Sequence, residues 1–261
     1  MTKKTYFYLF LLFLFVFNTP NHAYDNLNEA VNIAGKQRML TQRMLKNYIL
    51  IGIGNRFMQP RSRLIQDISQ FDIALNQLQN LQISQKIQQD LTIIRQQWQP
   101  IKNRLLQQTP SIEILQQLHQ KIDLLLKACH QVTQLIIKVS NTEISEIVSL
   151  SGRQRMLSQR MGALYILQIS GIEQIEVKKK LKISMVEFSQ ALTQLSQSKL
   201  NSSEIKNHLK QVKKWFHWFE KMTQSETEIY VPSDISKVTN NILYEMDQVT
   251  QLYIKIIQFK L

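Results

Sequence analysis

The residues best suited to chemistry occur twice. Gly35, Gln37, Arg38, Met39, Leu40, Gln42, Arg43 and Met44 reappear 117 positions later as Gly152, Gln154, Arg155, Met156, Leu157, Gln159, Arg160 and Met161. On a helix, spacings of three and four place Val31, Gly35, Arg38, Gln42, Leu45 and Ile49 along one stripe, with Val148, Gly152, Arg155, Gln159, Gly162 and Ile166 as its copy. An arginine inside a packed stripe needs an anion, because burying an unpaired guanidinium costs several kcal/mol. No Asp or Glu lies between Asn32 and Gly54, or between Ile147 and Ile172, to provide one locally. If the two segments pack on each other, Arg38 and Arg155 converge across a pseudo-twofold axis, where a small oxyanion would relieve their repulsion. The planar forks match planar oxygens, and Gly35 and Gly152, one turn earlier, leave room. The candidate ligand-binding set is therefore Arg38, Arg155, Gly35, Gly152, Gln42 and Gln159, with Arg43 and Arg160 added. All four arginines could instead be surface charges or pair with carboxylates of other helices such as Asp67, Asp72, Glu187 or Glu204, and Arg43 and Arg160, about 140° around the helix from the stripe arginines, fit that alternative better than ligand binding.

Catalytic chemistry has little to work with. His119, His130, His208 and His217 fall opposite Ser236, Asp247, Leu91 and Pro100 at the repeat offset, and no Ser/His/Asp, metal-ligand or glycine-loop constellation is present. A single cysteine, Cys129, excludes an intramolecular disulfide, and zinc spacing is missing. The reading is of a non-enzyme without cofactor or metal.

The elements that must position the arginines follow from the repeat. The offset of 117 also sends Tyr48, Ile49 and Leu50 to Tyr165, Ile166 and Leu167, Phe71 to Phe188, and Gln131–Leu135 to Gln248–Leu252. Held without a gap, it sends Trp98 to Trp215. Two modules result, residues 24–140 and 141–261. Scarce glycine (6) and proline (5) exclude turn-rich β folds, and the punctuation marks four helices in each module. Gly52, Gly54 and Asn55 end the first; Pro60, Ser84, and Pro110 with Ser111 open the next three. Gly171, Asn201–Ser203 and Pro232–Asp234 punctuate the second module. Leu64, Ile68, Phe71, Leu75 and Leu78, then Ile122, Leu125, Leu126, Val132, Leu135 and Ile136, keep helical spacing and read as core. Ser140 and Glu143 form a capping-box pattern that favours a turn over one continuous helix between modules. The fold expected is all-α: two tandem antiparallel four-helix bundles, side by side as an intramolecular pseudo-dimer.

Location narrows the partners. Lys3 and Lys4, an apolar run from Tyr6 to Phe17 and a small residue at Ala23 make residues 1–23 read as a secretory signal peptide, with a retained anchor as the alternative. A periplasmic product of net charge +13, two of those charges in the leader, points to small anions or a membrane surface rather than nucleic acid.

The doubled box, a glycine, a two-residue gap, Arg-Met and a second arginine five residues after the first, resembles the signature of a known sensor domain. That domain is shared by NarX-type nitrate and nitrite sensor kinases and the N-terminal part of PilJ-type, type IV pilus-associated chemotaxis transducers. In the NarX-type family it is a four-helix bundle that dimerises through its first helices, with nitrate held there by the first arginine of each box. The resemblance thus implies nitrate or nitrite bound between Arg38 and Arg155, with both halves of the dimer in one chain. It also implies a membrane-bound sensor kinase or chemotaxis transducer as partner. The boxes read Gln37-Arg38-Met39-Leu40, closer to the pilus-transducer variant, and the sequence stops at Leu261 without a signalling domain. The expected function is a periplasmic, sensor-like module that binds a small oxyanion; the alternative is a ligand-free module that docks on a membrane receptor.

Overall fold

A computed structural model describes residues 20–172, 174–224 and 231–259. The expected signal segment lies outside the described residues up to position 19, and its expected cleavage point after Ala23 falls in the first turn of α1. Eight helices follow one another: α1 (Pro20–Gly52), α2 (Pro60–Asn80), α3 (Gln85–Gln107), α4 (Ile112–Ser140), α5 (Glu143–Ile169), α6 (Gln174–Gln197), α7 (Ser203–Gln224) and α8 (Pro232–Phe259). Among the described residues none is in a strand, and no helix is long and apolar enough to cross a membrane.

The helix boundaries follow from local chemistry. The Ser84 and Ser111 side chains accept from the backbone N–H groups of Ile87 and Ile114, satisfying first-turn donors that the helix itself leaves open. Pro60 and Pro232 occupy the first turn, where a missing N–H costs nothing. Between α4 and α5 the chain turns sharply: Asn141 ends α4 in the left-handed region (φ 48°), and Thr142, not Ser140, caps α5 through the Ser145 N–H. Ser140 instead closes the last turn of α4, its hydroxyl bonded to Thr142 and Ser145.

Helices α1–α4 pack as one ring and α5–α8 as another, and the two rings join most extensively along α1 and α5. These two helices run parallel, since Asn28 bonds to Ser145 near their starts and Gln42 to Arg160 further along. From Asn28 to Leu50 in α1 and from Ser145 to Leu167 in α5 most residues are buried, because each helix faces its own bundle on one side and the other bundle on the next. Phe71 stacks on Trp98 at 4.4 Å between ring centres in the first bundle. In the second, Phe188 stacks on Phe216 at 4.6 Å, so Phe216 and not Trp215 is the counterpart of Trp98. The ungapped register fails across α7: Ser202 caps Ile205 as Ser84 caps Ile87, an offset of 118. One extra residue in the α6–α7 turn shifts α7, and the buried positions of α8, Ile242, Met246 and Val249, return to 117 from Leu125, Cys129 and Val132.

Candidate functional site

The crossing of α1 and α5 is built around Gly35 and Gly152. A Cβ placed on Gly35 would lie 3.8 Å from the Gly152 Cα, in van der Waals contact with the facing backbone. The same point lies 3.4 Å from Arg155 Nη2 and 3.6 Å from Arg38 Nη2, so both guanidinium tips occupy the space the glycines leave. The two guanidinium tips thus border the glycine crossing, and a cleft opens beside each.

Arg38 and Arg155 are 1% and 2% exposed, and each reaches one group of its own bundle and one of the other. Arg155 donates from Nη1 to the Asp247 carboxylate of α8 at 2.7 Å and from Nη2 to Asn32 Oδ1 of α1 at 2.8 Å. Arg38 donates from Nη1 to His130 Nδ1 of α4 at 3.2 Å and from Nη2 to the Ser149 carbonyl of α5 at 3.3 Å. The partners are equivalent by position, Ser149 to Asn32 and His130 to Asp247, and differ in chemistry. An anion for Arg155 thus comes from α8, 92 residues away in sequence, a carboxylate of another helix of its own bundle. Both Nε atoms are buried without a partner.

The charges register in the titration. Burial first, then Arg155 and Arg153, lower the Arg38 guanidinium to about 9, so it stays charged near neutral pH. Partial desolvation, with Arg38 and Arg153, lowers His130 to about 4. His130 is therefore neutral at pH 7, and accepting through Nδ1 puts its proton on Nε2.

Each guanidinium borders a cleft. The Arg38 cleft, about 300 Å³, lies between α4 and α5 and is lined by His130, Gln134, Glu146, Ser149 and Arg153. The Arg155 cleft, about 630 Å³, carries the equivalent Asp247, Gln251, Glu29, Asn32 and Lys36, and extends along α2 to Arg63 and Gln77.

The other candidate residues lie further along the helices. Gln42 and Gln159 are buried; Gln42 accepts from Arg160 at 3.2 Å, and Gln159 donates to the Thr239 carbonyl at 3.0 Å. Arg43 pairs with Asp67 of its own bundle, its Nε to Oδ1 at 2.9 Å, whereas Arg160 reaches Asp123 of the other bundle at 2.7 Å. Burial raises the Asp67 carboxyl against the pull of Arg43. For Asp123 burial is outweighed by Arg160, His119 and Lys180, which lower it. Sequence reasoning missed Lys46, 1% exposed and bonded to Asn240 Oδ1 at 2.7 Å; burial first, then Arg43 and Arg63, push its pKa well below the ordinary value. It also set His130 and Asp247 aside as unmatched, when their mismatch at one repeat position is the signal that separates the two arginines. Among the described residues no group of three or more His, Cys, Asp or Glu could hold a metal.

A family model described as PilJ, type IV pili methyl-accepting chemotaxis transducer N-terminal domain, matches residues 21–126 and 139–228. No curated protein and no solved structure matches the chain.

Proposed function

Because the chain belongs to the PilJ family of N-terminal domains of type IV pili methyl-accepting chemotaxis transducers, we propose that it is a periplasmic, non-catalytic sensory module whose ligand is a small planar oxyanion, nitrate or nitrite first. The ligand is held beside the crossing of α1 and α5, with the two guanidinium groups that converge there, Arg38 and Arg155, as its candidate anchors. One observation carries this reading: two buried guanidinium groups converge on the same pair of glycines, and one of them, Arg38, has only neutral partners. A charged group so placed gains strong, charge-assisted hydrogen bonds from an anion that water and dipoles do not supply. Since α1 and α5 belong to different bundles, an anion at their crossing would change how the bundles sit on each other. A membrane-bound chemotaxis transducer or sensor kinase is the partner that would read such a change.

The test is a thermal-shift series with nitrate, nitrite, sulfate, phosphate and chloride at matched ionic strength. A saturable rise in Tm with nitrate or nitrite, absent when Arg38→Gln and Arg155→Gln are combined, is the expected result. A flat response to every anion would overturn the oxyanion reading and leave docking on a receptor as the function to examine.

A further inference from the structure

The two clefts beside the arginines are equivalent by position, yet they are unequal as anion sites. Each has a buried arginine at its base, a basic residue at its rim (Arg153 or Lys36) and a glutamate (Glu146 or Glu29). The difference falls at one repeat position. Asp247 supplies Arg155 with a carboxylate at 2.7 Å, so an incoming anion there would have to displace or abut a fixed negative charge. His130 supplies Arg38 with a neutral lone pair, and its other partner, the Ser149 carbonyl, is also neutral.

Resting on the oxyanion reading, we infer that the chain binds one anion rather than two, and that it binds in the cleft between α4 and α5 where Arg38 meets His130. Arg38 contributes the charge. His130, holding its Nδ1 to the guanidinium, offers Nε2–H as a second donor; Arg153 at the rim is already paired with Glu187 at 3.1 Å. The larger Arg155 cleft has more cations, but the rim cations do not separate the clefts, since Arg43 is paired with Asp67 and Arg153 with Glu187, and Lys36 and Arg63 are half-buried, where water screens them; the counter-charge on the buried arginine does. Asp247 thus acts as a built-in anion that makes Arg155 a structural tie between the bundles.

Calorimetric titration of the full chain with sodium nitrate tests this. The wild type should bind one nitrate per chain. His130→Asp, which copies the Asp247 arrangement at an exposed position, should weaken binding at least tenfold, while His130→Gln, which keeps an acceptor for Arg38, should weaken it less. Asp247→His should raise the stoichiometry to two, and Asp247→Asn, which retains an acceptor for Arg155, should leave the first site intact. Wild-type stoichiometry of two, unaltered binding by His130→Asp, or loss of binding in Asp247→Asn would overturn the inference while leaving the oxyanion reading in place. Absence of any nitrate or nitrite binding by the wild type would overturn the oxyanion reading itself.

Discussion

Along α1 and α5 the same residue types occupy the same turns, but their polar groups end in different states. In α5, Arg155 meets Asp247, and Gln154 donates to the Phe188 carbonyl at 2.9 Å. In α1, Arg38 meets only neutral acceptors, both amide atoms of the buried Gln37 lack partners, and Lys46 is buried where α5 has Ala163. Both inner helices keep buried polar atoms without a partner, Gln37 Nε2 and Oε1 with Arg38 Nε in α1, and Gln154 Oε1, Arg155 Nε and Gln159 Oε1 in α5; what differs is the counter-charge, which Arg155 has and Arg38 lacks. On the proposed reading the two copies divide the work: Arg155 of α5 is tied to Asp247, and Arg38 of α1 is the arginine left for an outside anion.

Substitutions can break or sharpen this comparison. The largest effects belong to the aromatic anchors, which should be alike. Trp98→Ala and Phe216→Ala should each cost roughly 3–5 kcal/mol in denaturant unfolding. Trp215→Ala should cost only about 1 kcal/mol, since it is half-buried. Equal losses at Trp215 and Trp98 would contradict the shifted register of α7. Next, Lys46→Met should stabilise the chain by about 1 kcal/mol, because it removes a desolvated amine that has no carboxylate partner. A loss of more than about 2 kcal/mol would show that the Lys46 bond to Asn240 holds the bundles together. Smaller and opposite in sign are the paired glutamines: Gln37→Leu should gain about 1 kcal/mol and Gln154→Leu should lose about as much. A matching sign for both would dissolve the distinction between α1 and α5.

The two copies should also differ in pH dependence. His130 faces Gln134 on its own helix, Arg38 of α1, and Glu146 and Arg153 of α5. With its pKa lowered from 6.5 to about 4, the unfolded chain takes up the proton first, so anion-free stability should fall as pH drops from about 6.5 to about 4. An anion beside the imidazolium would raise that pKa, so nitrate should bind more tightly at pH 5 than at pH 7. Thermal scans at both pH values, with and without nitrate, check both signs, and His130→Gln should flatten both.

Much of the architecture was legible because it rests on local chemistry. Ser84, Ser111, Pro60 and Pro232 punctuate the helices whatever lies across from them, and the stripe from Leu64 to Leu78 is buried as its spacing requires. The convergence of Arg38 and Arg155 on Gly35 and Gly152 also follows from spacing, once the repeat places α1 against α5. What spacing does not encode is which distant helix supplies a counter-charge. Asp247 and Asp123 reach Arg155 and Arg160 only after α8 and α4 pack, and neither residue lies on a core stripe that would have drawn attention to it. The slip at Trp98 has a similar origin: one added turn residue leaves aligned tryptophans in sequence while rotating a different side chain, Phe216, into the core.

The most direct measurement is a crystal structure of the chain grown with nitrate. A single planar anion within hydrogen-bond distance of the Arg38 guanidinium and His130 Nε2, with the Arg155–Asp247 pair intact, is the predicted result. An anion on Arg155 with Asp247 displaced, or equal occupancy beside both arginines, would contradict the division between the two halves.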